Sequence, residues 1–312
     1  MVDPLIHTRT LPQVRAGLLA GVGAYLCWGV FPLYFHVLIT RGVDAAHLLA
    51  YRITWSAVFV ALLLTASCQW AEVITCLRSR RVLWGLLAST LLIAINWWVY
   101  IYSVASRQVS YSALGYYMNP LVSVLLGVVI LRERLRALQI TAVVLATTGV
   151  VYQTVSIGKV PWISLTLAVS FALYGLVRKV AGAGALAGLM VETALITPLM
   201  LAFIGYHMAV GTAPILSLST HVLVALSGVV TATPLLLFAA AARRLKLSTL
   251  GFLQYLSPTI QLLLAITVLG EAFTRDRQIT FGFIWSAVIL FVIDQVLALR
   301  RLQPVASVVE EP

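Results

Sequence analysis

The sequence predicts an all-α integral membrane protein of ten transmembrane helices, arranged as two inverted five-helix repeats with cytoplasmic N- and C-termini. Three observations lead there. Apolar residues run in stretches of about 20, the length a helix needs to cross a ~30 Å hydrocarbon core at ~1.5 Å per residue. Lys and Arg fall unevenly between alternate loops. One long segment is written twice, 138 residues apart.

Of the 312 residues, 61% are hydrophobic and 10% charged, and the mean hydropathy is +1.01. A soluble domain carries roughly a quarter charged residues, so this chain has too few to cover a water-facing surface. The net charge of +11 would suggest nucleic acid in a soluble protein. In a polytopic membrane protein such cations gather in cytoplasmic loops, and no nucleic-acid partner is expected. Cys27, Cys68 and Cys76 fit neither a disulfide framework nor a metal-ligand spacing. No metal or other cofactor is expected. The first apolar stretch is a full span without a small-residue cleavage site, unlike a cleaved signal.

The spans follow in order, with charges, Pro and Gly as breaks. The first (16–39) lies between Arg15 and Arg41, and the second (46–66) follows Asp44. The third (82–104) follows Arg78, Arg80 and Arg81; the fourth (110–131) ends at Arg132; the fifth (137–155) lies between Arg136 and Gly158. The sixth (161–177) ends at Arg178 and Lys179, and the seventh (186–206) follows Gly184. The eighth (219–241) ends before Arg243, the ninth (247–269) follows Lys246, and the tenth (278–299) lies between Arg277 and Arg300. The chain thus divides into an N-terminal tail (1–15), a first unit (16–155), a second unit (161–299) and a C-terminal tail (300–312). With the N-terminus inside, 15 of the 21 Lys and Arg fall in inner segments and five in outer loops, Arg52 lying within a span. An odd number of spans would scramble that alternation.

"NPLVSVLLGVVILRERL" (119–135) and "SPTIQLLLAITVLGEAF" (257–273) each place a glutamate 13 residues after a proline. "VSYSALGYYMNP" aligns with "LSTLGFLQYLSP", and "AYLCWG" (24–29) resembles "SFALYG" (170–175). Five spans is an odd number, so the second copy enters the membrane upside down. Inverted repeats are characteristic of carriers whose substrate site sits near the midplane between the halves.

"AYLCWGVFPLYFHVL" (24–38), "YRITWS" (51–56), "NWWVYIYSV" (96–104), "SALGYYMNPLVSVLLGVVILRERL" (112–135), "FALYGLVRK" (171–179), "ETALITP" (192–198) and the segment 247–273 resemble the RarD proteins. These form part of the EamA branch of the drug/metabolite transporter superfamily, and the match runs from about residue 15 to 301. The resemblance implies a bacterial inner-membrane permease of ten helices, multi-pass, from a family whose name is tied to chloramphenicol sensitivity. His36 stands where relatives usually carry lysine, Tyr51 where they carry histidine, and Arg132 where they carry glycine.

A carrier tolerates gaps in a helix's hydrogen-bond ladder where they face protein or water. Pro120 and Pro258, each halfway along a span, are expected helix breaks that free the carbonyls of Tyr116 and Gln254. Amides are costly near the bilayer centre, so Asn96, Asn119, Gln254 and Gln261 are candidate substrate ligands, with Tyr100, Tyr116, Tyr255, Trp28 and Tyr174 as aromatic walls. Small residues beside them, such as Ser123 and Gly127, read as helix-packing surface.

Arg52 and Glu192 occupy equivalent places in the second span of each repeat. Inversion leaves roughly 10 Å of depth between them in a ~30 Å core, so separate local partners or snorkelling is expected for both. Glu133 and Glu271 close their helices where a negative charge opposes the dipole, and neighbouring arginines (Arg134, Arg136, Arg275, Arg277) are the expected compensation. These four charges are the gating or coupling candidates.

The expected partners are a small-molecule substrate, the lipid bilayer and, as a candidate coupling ion, the proton. Gly17-x-x-x-Gly21 and Gly184-x-x-x-Gly188 leave the oligomeric state open. An intramembrane enzyme would need an acid–base or metal cluster, and the five histidines form no HxxE or HExxH pattern. A non-transporting sensor or assembly subunit is the remaining alternative.

Overall fold

The computed structural model describes residues 11–106, 109–158, 162–268 and 273–301. They form helices α1 (Leu11–Thr40), α2 (Ala45–Ala66), α3 (Trp70–Arg78), α4 (Arg80–Ala105), α5 (Val109–Val129) and α6 (Ala137–Ile157). There follow α7 (Trp162–Val180), α8 (Ala185–Ala209), α9 (Leu218–Arg244), α10 (Leu247–Gln254), α11 (Leu256–Thr267) and α12 (Arg275–Arg301). No strand occurs among the described residues. Ten segments are long and apolar enough to cross a membrane, and they reproduce the ten expected spans with ends displaced by at most four residues.

Local chemistry sets several boundaries. The Asp44 side chain caps α2 by accepting from the amides of Ala46 and His47 at 3.0 and 3.1 Å, and Ser217 caps α9 through Thr220 N. Each satisfies a donor that the first helical turn leaves open. Between α1 and α2 the chain reverses at Gly42, whose φ of 88° excludes most side chains.

Two features differ from the sequence expectation, the extra helix α3 and the unbroken helix at Pro120, while the ninth span breaks beside Pro258 as expected. The loop between the second and third spans contains α3, nine residues long and too short to span, with Val73 and Cys76 buried. The ninth span is broken into α10 and α11 at Gln254–Tyr255, where Tyr255 N turns to the Phe252 carbonyl at 3.2 Å. Pro258 accounts for the position of the break. It offers no N–H to the Gln254 carbonyl, and its ring presses on that turn. Pro120, by contrast, does not break its helix, since α5 runs through it from Val109 to Val129. There the backbone of Pro120 is instead a contact surface: a Cβ on Gly251 would lie 2.8 Å from the Pro120 carbonyl oxygen and 3.0 Å from Ser123 Cβ. Ser123 and Gly127 thus belong to the α5–α10 packing surface.

The helix pairings have a regular form. α1 packs on α9 as α4 packs on α7; α2 on α9 as α4 on α8; and α1 on α11 as α5 on α7. α2–α8, α5–α10 and α6–α12 are extensive as well. Shifting each span number by five maps these pairs onto one another or onto themselves, while the smaller α7–α9 pairing has no α1–α4 counterpart of like extent. α6 and α12 stack together at one side. At the bundle centre Tyr25, Trp28, Phe171, Tyr174 and Phe238 form an aromatic cluster, with Tyr174 stacked on Phe238 at 5.8 Å.

Candidate functional site: a polar cavity with aromatic walls

Beside this cluster lies a cavity of about 370 Å³. α1 contributes Trp28 and Phe35, α2 Arg52, α4 Asn96, Trp97 and Tyr100, and α5 Tyr116. Phe171 of α7, Thr231 and Leu235 of α9, Gln254 of α10, and Ser257 and Gln261 of α11 close the other side. The lining continues along α1 to His36 and Ile39, both exposed, and so reaches the end of the bundle where α1 terminates. It stops short of the opposite end.

That opposite end is knitted shut by polar contacts. Tyr25 Oη donates to the Leu250 carbonyl at 3.1 Å, and Lys179 Nζ donates to the carbonyls of Ala242, at 3.0 Å, and Leu245. Arg136 Nε donates to both oxygens of Asp294 at 2.8 and 2.9 Å. Glu133 caps α10: its carboxylate accepts from Leu247 N at 2.6 Å, Ser248 N at 2.9 Å and Ser248 Oγ at 2.7 Å.

The Glu133 arrangement corrects the expected arginine compensation. α5 ends at Val129, and Arg132 takes a positive φ of 52°. The turn carries Glu133 away from the C-terminal end of α5 and onto the N-terminus of α10, where backbone donors and the helix dipole favour a negative charge. Glu271 lies outside the described residues.

Of the nine expected substrate ligands, six line the cavity: Trp28, Asn96, Tyr100, Tyr116, Gln254 and Gln261. Three do not. Asn119 is buried between helices, donating to the Ala168 carbonyl at 3.1 Å while accepting from Ser123 Oγ at 3.3 Å. Its amide therefore ties α5 to α7. Tyr255 donates to the Tyr117 carbonyl at 3.3 Å within the apolar core around Phe252 and Phe291. Tyr174 donates to Glu192 Oε2 at 3.3 Å. Each is a buried polar group satisfied within the protein, which is the ordinary fate of such groups.

Asn96 and Gln261 line the cavity but have their amide donors engaged. Asn96 Nδ2 donates to the Leu167 carbonyl and to Ser170 Oγ, both at 3.0 Å, and Gln261 Nε2 donates to the Trp28 carbonyl at 3.1 Å. Thr231 Oγ1 is buried without a hydrogen-bond partner. Thr231 and Trp97 are wall residues that the sequence reading did not single out. Trp97 directly follows Asn96, so proximity to a candidate already marked was the available signal there; Thr231 carried none.

Arg52 and Glu192 have separate environments. The Arg52 guanidinium lies 5.4 Å from the Phe35 ring centroid and 5.0 Å from that of Trp97, on the cavity wall. Glu192 is reached from α4 by Ser89 Oγ at 2.5 Å and from α7 by Arg178 Nη1 at 3.6 Å, in addition to Tyr174. Ile93, Trp97 and Leu235 stand between this buried cluster and the main cavity, lining both.

An apolar bundle of ten membrane-spanning segments enclosing an aromatic-walled cavity with a few polar groups is built as a membrane transporter. The model of the EamA-like transporter family matches residues 15–154. An uncharacterized transporter of Vibrio cholerae is 42% identical over 285 residues, covering 90% of this chain and 93% of its own. Protein RarD of Escherichia coli is 40% identical over 296 residues, covering 93% of this chain and 98% of its own. The crystal structure of a further protein superposes with a TM-score of 0.68 at 19% identity, over 89% of this chain and 97% of its own, and shares the fold. The chain belongs to the RarD proteins of the EamA-like transporter family.

Proposed function

We propose that this multi-pass protein is a secondary carrier of the bacterial inner membrane. It moves a small neutral or zwitterionic, partly apolar organic metabolite or drug, an amphenicol being one example, by alternating access. The observation that carries the reading is the cavity itself. Both halves of the chain build it, Trp28, Asn96 and Tyr116 from one and Phe171, Thr231 and Gln254 from the other, and it extends to one end of the bundle only.

Two further observations support it. The most extensive helix pairings map onto one another or onto themselves when spans are shifted by five, as two inverted repeats require. The Lys and Arg bias favours cytoplasmic termini; in that orientation the cavity is outward-open and the end knitted by Glu133, Lys179 and Arg136 is the cytoplasmic seal. Rocking one repeat against the other would exchange the two ends.

Counterflow in proteoliposomes tests the reading. Vesicles are loaded with unlabelled amino acids, small aromatic solutes and chloramphenicol, and labelled uptake is followed with and without a pH gradient. Saturable, protein-dependent uptake of a panel member is the expected result, and its response to the gradient reports proton coupling. Absence of uptake across the panel, from folded and inserted protein, would favour the sensor or subunit alternative.

A further inference from the structure

Arg52 stands out among the groups of the cavity wall. Its residue is 9% exposed, its Nε has no hydrogen-bond partner, and its guanidinium makes no ion pair with any described residue. The wall contains no Asp or Glu. Its electrostatic neighbours are the phenols of Tyr100 and Tyr116, which are neutral, while Phe35 and Trp97 lie against the guanidinium. Glu192, at the equivalent place in the second repeat, already has Arg178, Ser89 and Tyr174, and Asp294 has Arg136. A cation held deep in an apolar bundle without a counter-charge is unfavourable, and it persists where function uses it.

Aromatic contacts offset part of that cost but give the guanidinium no counter-charge. Its N–H edge stays available, and that edge matches the two oxygens of a carboxylate. We propose that Arg52 is the anchor for a carboxylate on the transported solute, so that the substrate is an organic monocarboxylate with an apolar or aromatic body. The assignment rests on the carrier reading; of its substrate class it keeps the carboxylate-bearing zwitterions, and it adds simple monocarboxylates in place of neutral solutes.

Charge balance selects a monoanion. One guanidinium neutralises one carboxylate, whereas a phosphate dianion would leave a negative charge facing Trp28, Phe31 and Phe171. Those rings suit an apolar body, and the side chains of Gln254 and Thr231, which make no hydrogen bond with the described residues, provide for a second polar group, such as the ammonium or hydroxyl of an amino or hydroxy acid.

The test compares near-isosteric probes on the full chain in nanodiscs, read by isothermal titration calorimetry. 3-Phenylpropionate, 3-phenylpropanamide, 3-phenylpropylamine and phenethylphosphonate are titrated against wild type, Arg52→Gln and Arg52→Lys. The wild type is expected to bind the carboxylate at least about ten-fold more tightly than the amide, the margin a charge-assisted pair supplies. In Arg52→Gln that preference falls to about two-fold or less, and Arg52→Lys keeps part of it.

The wild-type series stands alone should a variant fail to insert. Equal affinity for carboxylate and amide, preference for the amine or the phosphonate, no binding of any probe, or a preference unchanged in Arg52→Gln would each overturn the assignment. Counterflow of a neutral solute alongside such a result would leave the carrier reading intact. Arg52-dependent carboxylate binding without any uptake would sink the carrier reading and leave the anion site standing.

Discussion

Arg178→Ala is expected to lower stability by about 3–5 kcal/mol, the scale on which removing one partner of a buried ion pair leaves the other uncompensated. Arg178 is 1% exposed and Glu192 2%. Nη2 of Arg178 donates to the carbonyls of Gly184 and Ala185, the latter at 3.1 Å, so the same side chain holds the α7–α8 turn. Even the neighbouring glycine is shaped around it, since a Cβ on Gly188 would lie 2.0 Å from Arg178 Nη1.

Without the arginine, Glu192 keeps only the hydroxyls of Ser89 and Tyr174. The double variant Arg178→Ala/Glu192→Gln removes the stranded charge and should recover part of the loss. Thermal melts of purified protein, with the yield of monodisperse protein, measure both. Additive losses in the double variant would show that the 3.6 Å pair is not energetically coupled.

Gly228→Ala should be nearly as damaging. α2 and α9 cross there so closely that an added Cβ would sit 2.3 Å from the Trp55 carbonyl carbon and 2.5 Å from its oxygen. Ser56 Oγ donates across the same contact to the Gly228 carbonyl at 3.1 Å. Both obstructing atoms are backbone, so no rotamer change relieves the clash and the helices must part. Overpacking of a tight core costs about 1–3 kcal/mol, occasionally more, and the upper end is expected here because a hydrogen bond goes with it. A melting temperature and yield equal to wild type would mean that the α2–α9 crossing tolerates separation.

The spans were legible because membrane crossing imposes one length and one polarity on each of them. α3 was not, because an apolar stripe over nine residues is a weak signal beside spans more than twice as long. Part of the candidate cavity was also legible. Amides and aromatics near the midplane are scarce enough to mark, and six of nine marked residues reach the cavity wall.

Asn119, Tyr255 and Tyr174 carry the same chemistry yet turn to neighbouring backbone or to Glu192, and sequence spacing gives a helix face without saying what that face meets. Arg178 was read as a cytoplasmic loop cation. Its long side chain instead reaches past the short α7–α8 turn to Glu192, seven residues into α8. Glu133 was placed at its own helix end, when the turn at Arg132 delivers it to another helix's start. In each case the missing information was a tertiary contact.

The central claim is that one cavity opens alternately to the two faces of the membrane. Thr231→Cys, in a background with Cys27, Cys68 and Cys76 replaced by serine, places a small thiol on the cavity wall. Its reaction with a membrane-impermeant methanethiosulfonate is followed in right-side-out and inside-out vesicles. Modification is expected from both faces, faster from outside in the state described here, and slowed from both by a transported solute. Modification from one face only, unchanged by any solute that the protein is shown to bind, would contradict it and make the cavity a static vestibule.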